Sequence, residues 1–220
     1  MKTIVFTDIN YDAAVFLDGD LPDFSNVENL NKTQMIAADG AANRMIKSNF
    51  LPNLILGDLD SLTEIDARLQ IIKDSDQDTN DFEKILIYLI KNNYKNVIIL
   101  GLHGGILEHT LNNISVLVKY VKYFDSLVIF DKDRYGFFID SSLRIKLKKE
   151  EVISIIPNPI CNVKTSGLYW ELDNELLEIG KREGARNKCK SDIIEIILNE
   201  GSYFLFIESR FPKSICFKVD

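Results

Sequence analysis

The chain has 220 residues, 46% of them hydrophobic and 27% charged, with eleven Gly and five Pro, an ordinary globular composition that excludes collagen-like, mucin-like and disordered readings. Lys and Arg number 26 against 33 Asp and Glu, a net charge of −7. An acidic chain without a long basic run is poorly suited to nucleic-acid phosphates, so no nucleic-acid partner is expected, and any polyphosphate ligand calls for a cation.

Short apolar runs predict strands at 13–17, 34–38, 54–56, 97–100 and 127–130, with amphipathic stretches predicting helices at 41–49, 81–92 and 108–123. Strands alternating with helices predict an α/β N-terminal domain, a mostly parallel sheet with flanking helices, over residues 1–130. From 131 to 220 the pattern changes to short runs at 137–140, 143–147, 152–156, 162–164, 168–172, 192–198 and 203–207. The formers Pro157-Asn158-Pro159, Asp173-Asn174 and Glu200-Gly201 are read as turns between them, predicting an all-β C-terminal sandwich domain.

Cys161, Cys189 and Cys216 make no zinc pattern and no disulfide framework, which points to a reducing compartment. Asp8 arrives too early for a signal-peptide apolar region, and no apolar run approaches the roughly 20 residues that span a bilayer. A soluble, cytoplasmic protein with no membrane partner is therefore expected.

Ligands in open parallel sheets bind at the carboxyl ends of strands, so acids just after strands carry most information. Asp39 follows one predicted strand, and Asp58 and Asp60 follow the next in Gly57-Asp58-Leu59-Asp60-Ser61. Residues two apart in extended chain point to one side, where two carboxylates repel unless a divalent cation joins them. Magnesium suits oxygen donors and shares its shell with phosphates. The alternative is a solvated turn whose acids cap the next helix. Asp76-Gln77-Asp78-Thr79-Asn80-Asp81 leads into the helix at 81–92, which puts Asp81 near its positive end and makes Asp78, Thr79 or Asn80 its cap. A third signal is Gly101-Leu102-His103-Gly104-Gly105 between a strand and a helix, a form that lets backbone N–H groups approach a phosphate. Close packing of helix on strand explains such glycines equally well. His109, in the first turn of that helix, reads either as a donor to a phosphate, the reading its neighbours favour, or as a hydrogen-bond partner of a neighbouring loop. The lone Trp170, on a run that alternates, reads either as core or as a stacking platform for a cationic ring.

In order and spacing these segments resemble the thiamine pyrophosphokinase (thiamine diphosphokinase) family. Its A-D-G-G-A-N-R turn reads Ala38-Asp39-Gly40-Ala41-Ala42-Asn43-Arg44, and its G-D-x-D-S reads Gly57 to Ser61. Its D-Q-x-x-T-D-F with a following Lys reads Asp76 to Phe82 with Lys84. Its G-x-x-G-G-R-x-D-H with a later Asn reads Gly101 to His109 with Asn113, and its T-x-G-L-x-W-x-L reads Thr165 to Leu172. The resemblance implies a homodimer with active sites between the subunits, transferring a diphosphate group from ATP to the hydroxyl of thiamine with Mg²⁺. It further implies Asp39, Asp58, Asp60 and Asp81 as metal ligands and Asp60, Asp81, Lys84 and Glu108 as catalytic residues, Asp60 or Asp81 taking the hydroxyl proton. Asp39, Asn43, Arg44, Gln77, Gly104, Gly105, His109 and Asn113 are implied at the nucleotide and phosphates, and Thr165, Ser166, Trp170 and Asn187 at thiamine.

The chain departs from the pattern at several points. Ala41 replaces a Gly, Asn80 precedes Asp81 in place of Thr, Ile106 replaces the Arg and Glu108 the Asp, and Gly184-Ala185-Arg186-Asn187 replaces S-T-S-N. Losing that Arg removes a phosphate-facing cation, a role Arg186 is expected to take over. Two other functions fit the same residues: transfer to a different acceptor alcohol, favoured by the altered 184–186 segment, and a weakly active thiamine binder, disfavoured by the four retained aspartates.

Overall fold

The computed structural model describes residues 1–8, 11–63 and 68–219. Its strands, in chain order, are β1 (Lys2–Thr7), β2 (Ala13–Phe16), β3 (Gln34–Ala37), β4 (Leu54–Gly57), β5 (Gln70–Lys73), β6 (Asn96–Leu100) and β7 (Ser126–Asp131). There follow β8 (Arg134–Ile139), β9 (Leu143–Lys146), β10 (Val152–Ser166), β11 (Glu175–Glu178), β12 (Gly184–Lys188), β13 (Ile193–Glu208) and β14 (Ser214–Val219). The α-helices are α1 (Asp39–Lys47), α2 (Asp81–Lys91) and α3 (Leu107–Tyr120), with 3₁₀ turns at Phe24–Lys32 and Val121–Tyr123. The chain divides into two compact units: one from Tyr11 to Lys132, the other joining the first eight residues to the chain from Asp133 on.

The first unit carries a sheet whose strands run in the order β7-β6-β2-β3-β4-β5, every neighbouring pair parallel. Its central strands are apolar throughout: Ala13 to Phe16 and Val97 to Leu100 are fully buried, as expected of strands covered on both faces. Helix α2 follows because Phe82, Ile85, Leu86 and Leu89 recur at helical spacing, all buried, on a helix that packs on β4. Asn80 starts it, its side chain accepting from the Glu83 N–H.

Registry then places the site. Phe16 pairs with both Ala37 and Leu100, and Ala37 with Ile55, so the residues after β2, β3, β4 and β6 emerge along one edge. The chain steps outward from β2 through β3 to β5, then returns to β6 on the other side of β2. The loops after β2 and β6 therefore leave in opposite directions, which makes the β2–β6 boundary the topological switch point where such sheets bind ligands.

The second unit is all β. β1 pairs antiparallel with β14 and parallel with β9, and β13 pairs antiparallel with β8, β9 and β10. β10 also carries β11 and β12. Strand β1 thus groups with the C-terminal part of the chain, where a division at residue 130 assigned it to the first domain. Pro157-Asn158-Pro159 and Glu200-Gly201 are not turns between strands. They lie inside β10 and β13, at a register irregularity that lets each strand run on. Gly201 is required there: its φ is +80°, and a Cβ would overlap the Ile160 carbonyl oxygen of the facing strand. The 168–172 run is not a strand either. Gly167, with φ +97°, turns the chain out of β10, and the segment folds into a loop touching Cys189 through one bridge at Leu168.

Among the described residues no helix is long and apolar enough to cross a membrane.

Candidate active site

Three carboxylates meet where β3 and β4 end. Asp39 is the first residue of α1 and 4% exposed; oxygens of Asp39, Asp58 and Asp60 lie within 4.8 Å of one another. The geometry is held by backbone: Asp39 Oδ1 accepts from Gly40 N at 2.7 Å and Oδ2 from Ser61 N at 3.2 Å. Asp58 Oδ1 accepts from Asp60 N at 3.3 Å, the leading cause of a lowered Asp58 pKa. Asp81 opens α2 with its carboxylate against Gly57. Burial pushes its pKa up to about 6, with the charges of Asp39 and Asp58 adding to the rise and Lys84 opposing it.

These acids border a crevice of about 470 Å³ that is lined by five aspartates, Asp18, Asp58, Asp76, Asp78 and Asp81, and by one lysine, Lys84. Gln77, His109 and Asn113 complete the predicted residues that line it. Lys84 is 3% exposed at the side chain, with Nζ 3.5 Å from Asp81 Oδ1. A crevice this acidic repels a polyphosphate. The donor set, all carboxylate oxygens and no thiolate or imidazole in the cluster, fits a hard divalent ion such as Mg²⁺.

A smaller crevice of about 190 Å³ lies at the switch point, lined by Gly104, Gly105, Asp18, Gly19, His109 and Asn113 among others. The loops after β2 and β6 interlock beneath it: Gly19 N donates to Gly101 O at 3.0 Å and Asp20 N to His103 O at 2.6 Å. Gly104 has φ +108°, and a Cβ there would strike Asp20. Asn113 bridges the two crevices, donating to Leu102 O and facing the Asn80 amide.

Other predicted residues stand elsewhere. Asn43 binds Ser61 O and the Thr63 N–H and hydroxyl, tying the acid-bearing loop to α1. Arg44 pairs with Asp18 at 3.1 Å and donates to Gly19 O, so it braces the β2 loop. Glu108 is exposed and lines neither crevice. The departing residue Ile106 is 58% exposed at the lip of the smaller one.

In the all-β unit Trp170 is 63% exposed and not core. With Asn187, Gly184, Ala185 and Ile155 it lines a crevice of about 160 Å³. Thr165 is 6% exposed and bonded within its own loop, while Ser166 is exposed. Arg186 is exposed on β12, its N–H donating to Ser154 Oγ.

Sequence reasoning missed Asp18, which lines both crevices of the α/β unit and receives Arg44. The signal was present, since Asp18 directly follows the first predicted strand. Glu171, for which no pattern of residue types gave a sign, accepts from Gly167 N, Leu168 N and Thr165 Oγ1 in the loop that carries Trp170.

Acids gathered with a glycine loop at the carboxyl edge of a parallel sheet define the class: an α/β protein with a crevice suited to a cation and phosphates. The comparisons narrow it. The family model for the thiamin pyrophosphokinase catalytic domain matches residues 27–130, and that for the thiamin pyrophosphokinase vitamin B1 binding domain matches 141–202. Thiamin pyrophosphokinase 1 of Caenorhabditis elegans is 28% identical over 87% of this chain and 86% of its own length. Thiamine pyrophosphokinase 2 of Arabidopsis thaliana is 27% identical over 84% and 81%. In fold, the yeast thiamin pyrophosphokinase crystal structure aligns at a TM-score of 0.76 over 92% of this chain and 87% of that one, at 20% identity. The Bacillus subtilis thiamine pyrophosphokinase aligns at 0.74 over 90% and 100%, also at 20% identity. The chain belongs to the thiamine pyrophosphokinase family, enzymes that make thiamine diphosphate.

Proposed function

We propose that the chain transfers a diphosphate group from ATP to the hydroxyl of thiamine, giving AMP and thiamine diphosphate, with Mg²⁺ held by Asp39, Asp58 and Asp60. The observation that carries this reading is the convergence of those three carboxylates within 4.8 Å beside the acidic crevice. When bound, the ion supplies neutralisation of phosphate charge and orientation of the transferring group.

The chain's own residues supply the rest. Lys84, fixed by Asp81 and burial, presents one ammonium to the phosphates, and the N–H groups around Gly104 and Gly105 give a second, uncharged cradle. Gln77, whose Nε2 lies 3.5 Å from Asp58 Oδ2, and His109 orient the nucleotide end. Asp81 lines the crevice and Asp60 does not. Its Oδ1 faces Lys84, which leaves Oδ2 to take the hydroxyl proton of the acceptor. Trp170 stacks on the cationic thiazolium ring. The working assembly is a homodimer with active sites between subunits, in the cytoplasm.

End-point chromatography of purified protein with ATP, Mg²⁺ and thiamine tests the reading, with Asp58→Asn as control. AMP and thiamine diphosphate should appear in equal amounts and vanish in the control. AMP without thiamine diphosphate would overturn thiamine as the acceptor.

A further inference from the structure

We propose that Glu171, together with Asn187, is a positioning residue that holds Trp170 as a rigid platform for the acceptor ring, acting through hydrogen-bond geometry and not through its charge; this rests on the acceptor reading above. Trp170 sits in a loop between β10 and β11, where a ring 63% exposed has little packing to fix it. The backbone does the fixing. Glu171 Oε1 accepts from Gly167 N at 2.8 Å and Leu168 N at 2.9 Å, while Oε2 accepts from Thr165 Oγ1 at 2.7 Å. The same threonine hydroxyl accepts from Leu172 N at 2.8 Å. One carboxylate thus gathers the chain before Trp170, and Thr165 closes it after.

Asn187 holds the tryptophan itself from β12. Its Oδ1 accepts from Trp170 N at 3.3 Å and its Nδ2 donates to Trp170 O at 2.6 Å. Both oxygens of Glu171 are engaged by donors inside the loop, so its role toward a cationic ring is to shape the platform. An aromatic surface ordered before binding avoids the entropy of ordering it on binding.

Glu171→Gln and Glu171→Ala separate geometry from charge. A glutamine keeps Oε1 as acceptor for the two N–H groups, and its amide donates to the free lone pair of Thr165 Oγ1. Alanine removes all three bonds. Trp170 is the sole tryptophan, so its fluorescence reports the platform alone. In ligand-free protein, Glu171→Ala should lower Trp170 anisotropy and raise acrylamide quenching. It should also raise the thiamine KM roughly 10- to 100-fold with the ATP KM unchanged. Glu171→Gln should recover most of these losses. Should Glu171→Ala fail to fold, Asn187→Ala gives the same readout from outside the loop. A Gln variant as impaired toward thiamine as the Ala variant, with wild-type anisotropy, would show that charge is what matters. An Ala variant with unchanged anisotropy and KM would sink the proposal outright. Failure of the acceptor reading shows separately: wild-type Trp170 fluorescence would not respond to thiamine, while the anisotropy contrast between variants would persist.

Discussion

Lys84 and Asp81 lie one turn apart on α2, Nζ 3.5 Å from Oδ1, and the lysine is 3% exposed at the side chain. Burial of a lysine is tolerated when a carboxylate faces it, and this one is paired with Asp81 in a crevice that four further aspartates line. Among the described residues lining that crevice it is the one Lys or Arg. Lys84→Met should therefore lower kcat by roughly 10²- to 10³-fold, the scale of losing one preorganised charge at a reacting phosphate. Lys84→Arg should not restore it, because a forked guanidinium needs more room than the site of a compact ammonium offers. Steady-state kinetics of both variants, with Tm as a folding control, checks this.

Asp39 and Asp58 contribute to one cluster but differ in what else depends on them. Asp39 is buried and accepts from Gly40 and Ser61 N–H groups, so Asp39→Ala removes two hydrogen bonds that hold the acid-bearing loop, about 0.5–1.5 kcal/mol each. Asp58 holds its loop more loosely, through Asp60 N at 3.3 Å. Asp39→Ala should lower both Tm and activity, whereas Asp58→Asn should abolish turnover with little change in Tm. Chelation with EDTA should stop the wild-type enzyme, and added Mg²⁺ should restore it.

A homodimer with its active sites between subunits, the assembly proposed for this chain, makes a distinct prediction. Asp58→Asn and Trp170→Ala homodimers should each be inactive or nearly so. Mixed in equal amounts and allowed to exchange subunits, they should regain up to about one quarter of wild-type activity, the fraction expected when half of the dimers are mixed and each mixed dimer holds one intact site out of two. No recovery, with exchange verified by mass, would place both groups of one site in one subunit.

Ile106 occupies the lip of the smaller crevice where the family pattern has Arg, and Arg186 is exposed on β12. If Arg186 supplies the missing charge, Arg186→Ala should cost roughly 10²-fold in kcat/KM for ATP, and Ile106→Arg in that background should recover part of it. An Arg186→Ala enzyme with wild-type kinetics would refute the compensation.

Local pattern carried much of the α/β unit because its strands are short, apolar and separated by amphipathic helices. Strands at 13–17, 34–38 and 97–100 appear within a residue or so of their observed ends. What stayed hidden is long-range. β1 reads as an opening apolar run with no local partner, and only β14 and β9, more than a hundred residues away, make it a strand. The two long β strands disguised themselves because Pro157 and Gly201, ordinary turn formers, sit at an irregularity both strands share. In the site, aspartates after strands were legible by position, as were the glycines. For Arg44 and Asn43 the motif fixes residue types, while their contacts to Asp18 and Gly19 and to Ser61 and Thr63 were not legible in it.

The three cysteines differ in environment, and the difference predicts both reactivity and pH-dependent stability. Cys161 and Cys189 are fully buried and free, and Cys216 is partly exposed. Burial pushes the Cys161 thiol up to about 11 and, with Glu151 and Glu208 adding to it, the Cys189 thiol up to about 12. An aromatic disulfide reagent at pH 8 should therefore modify about one thiol per folded chain and three after denaturation, because reaction needs an accessible thiolate. The stability consequence has a definite sign. An unfolded thiol ionises near 8.5, so above that pH the unfolded chain binds fewer protons than the folded one and is favoured. The stability tied to these thiols is complete below about pH 8.5 and is lost as pH rises toward 11 and then 12. Tyr203, raised well above its ordinary value by burial, adds a decline of the same sign at higher pH. Urea midpoints measured from pH 7 to 10.5 should fall, and Cys189→Ala should flatten that slope even though it lowers the midpoint at pH 7 by leaving a cavity. A slope unchanged in Cys189→Ala would show that this thiol ionises alike in both states.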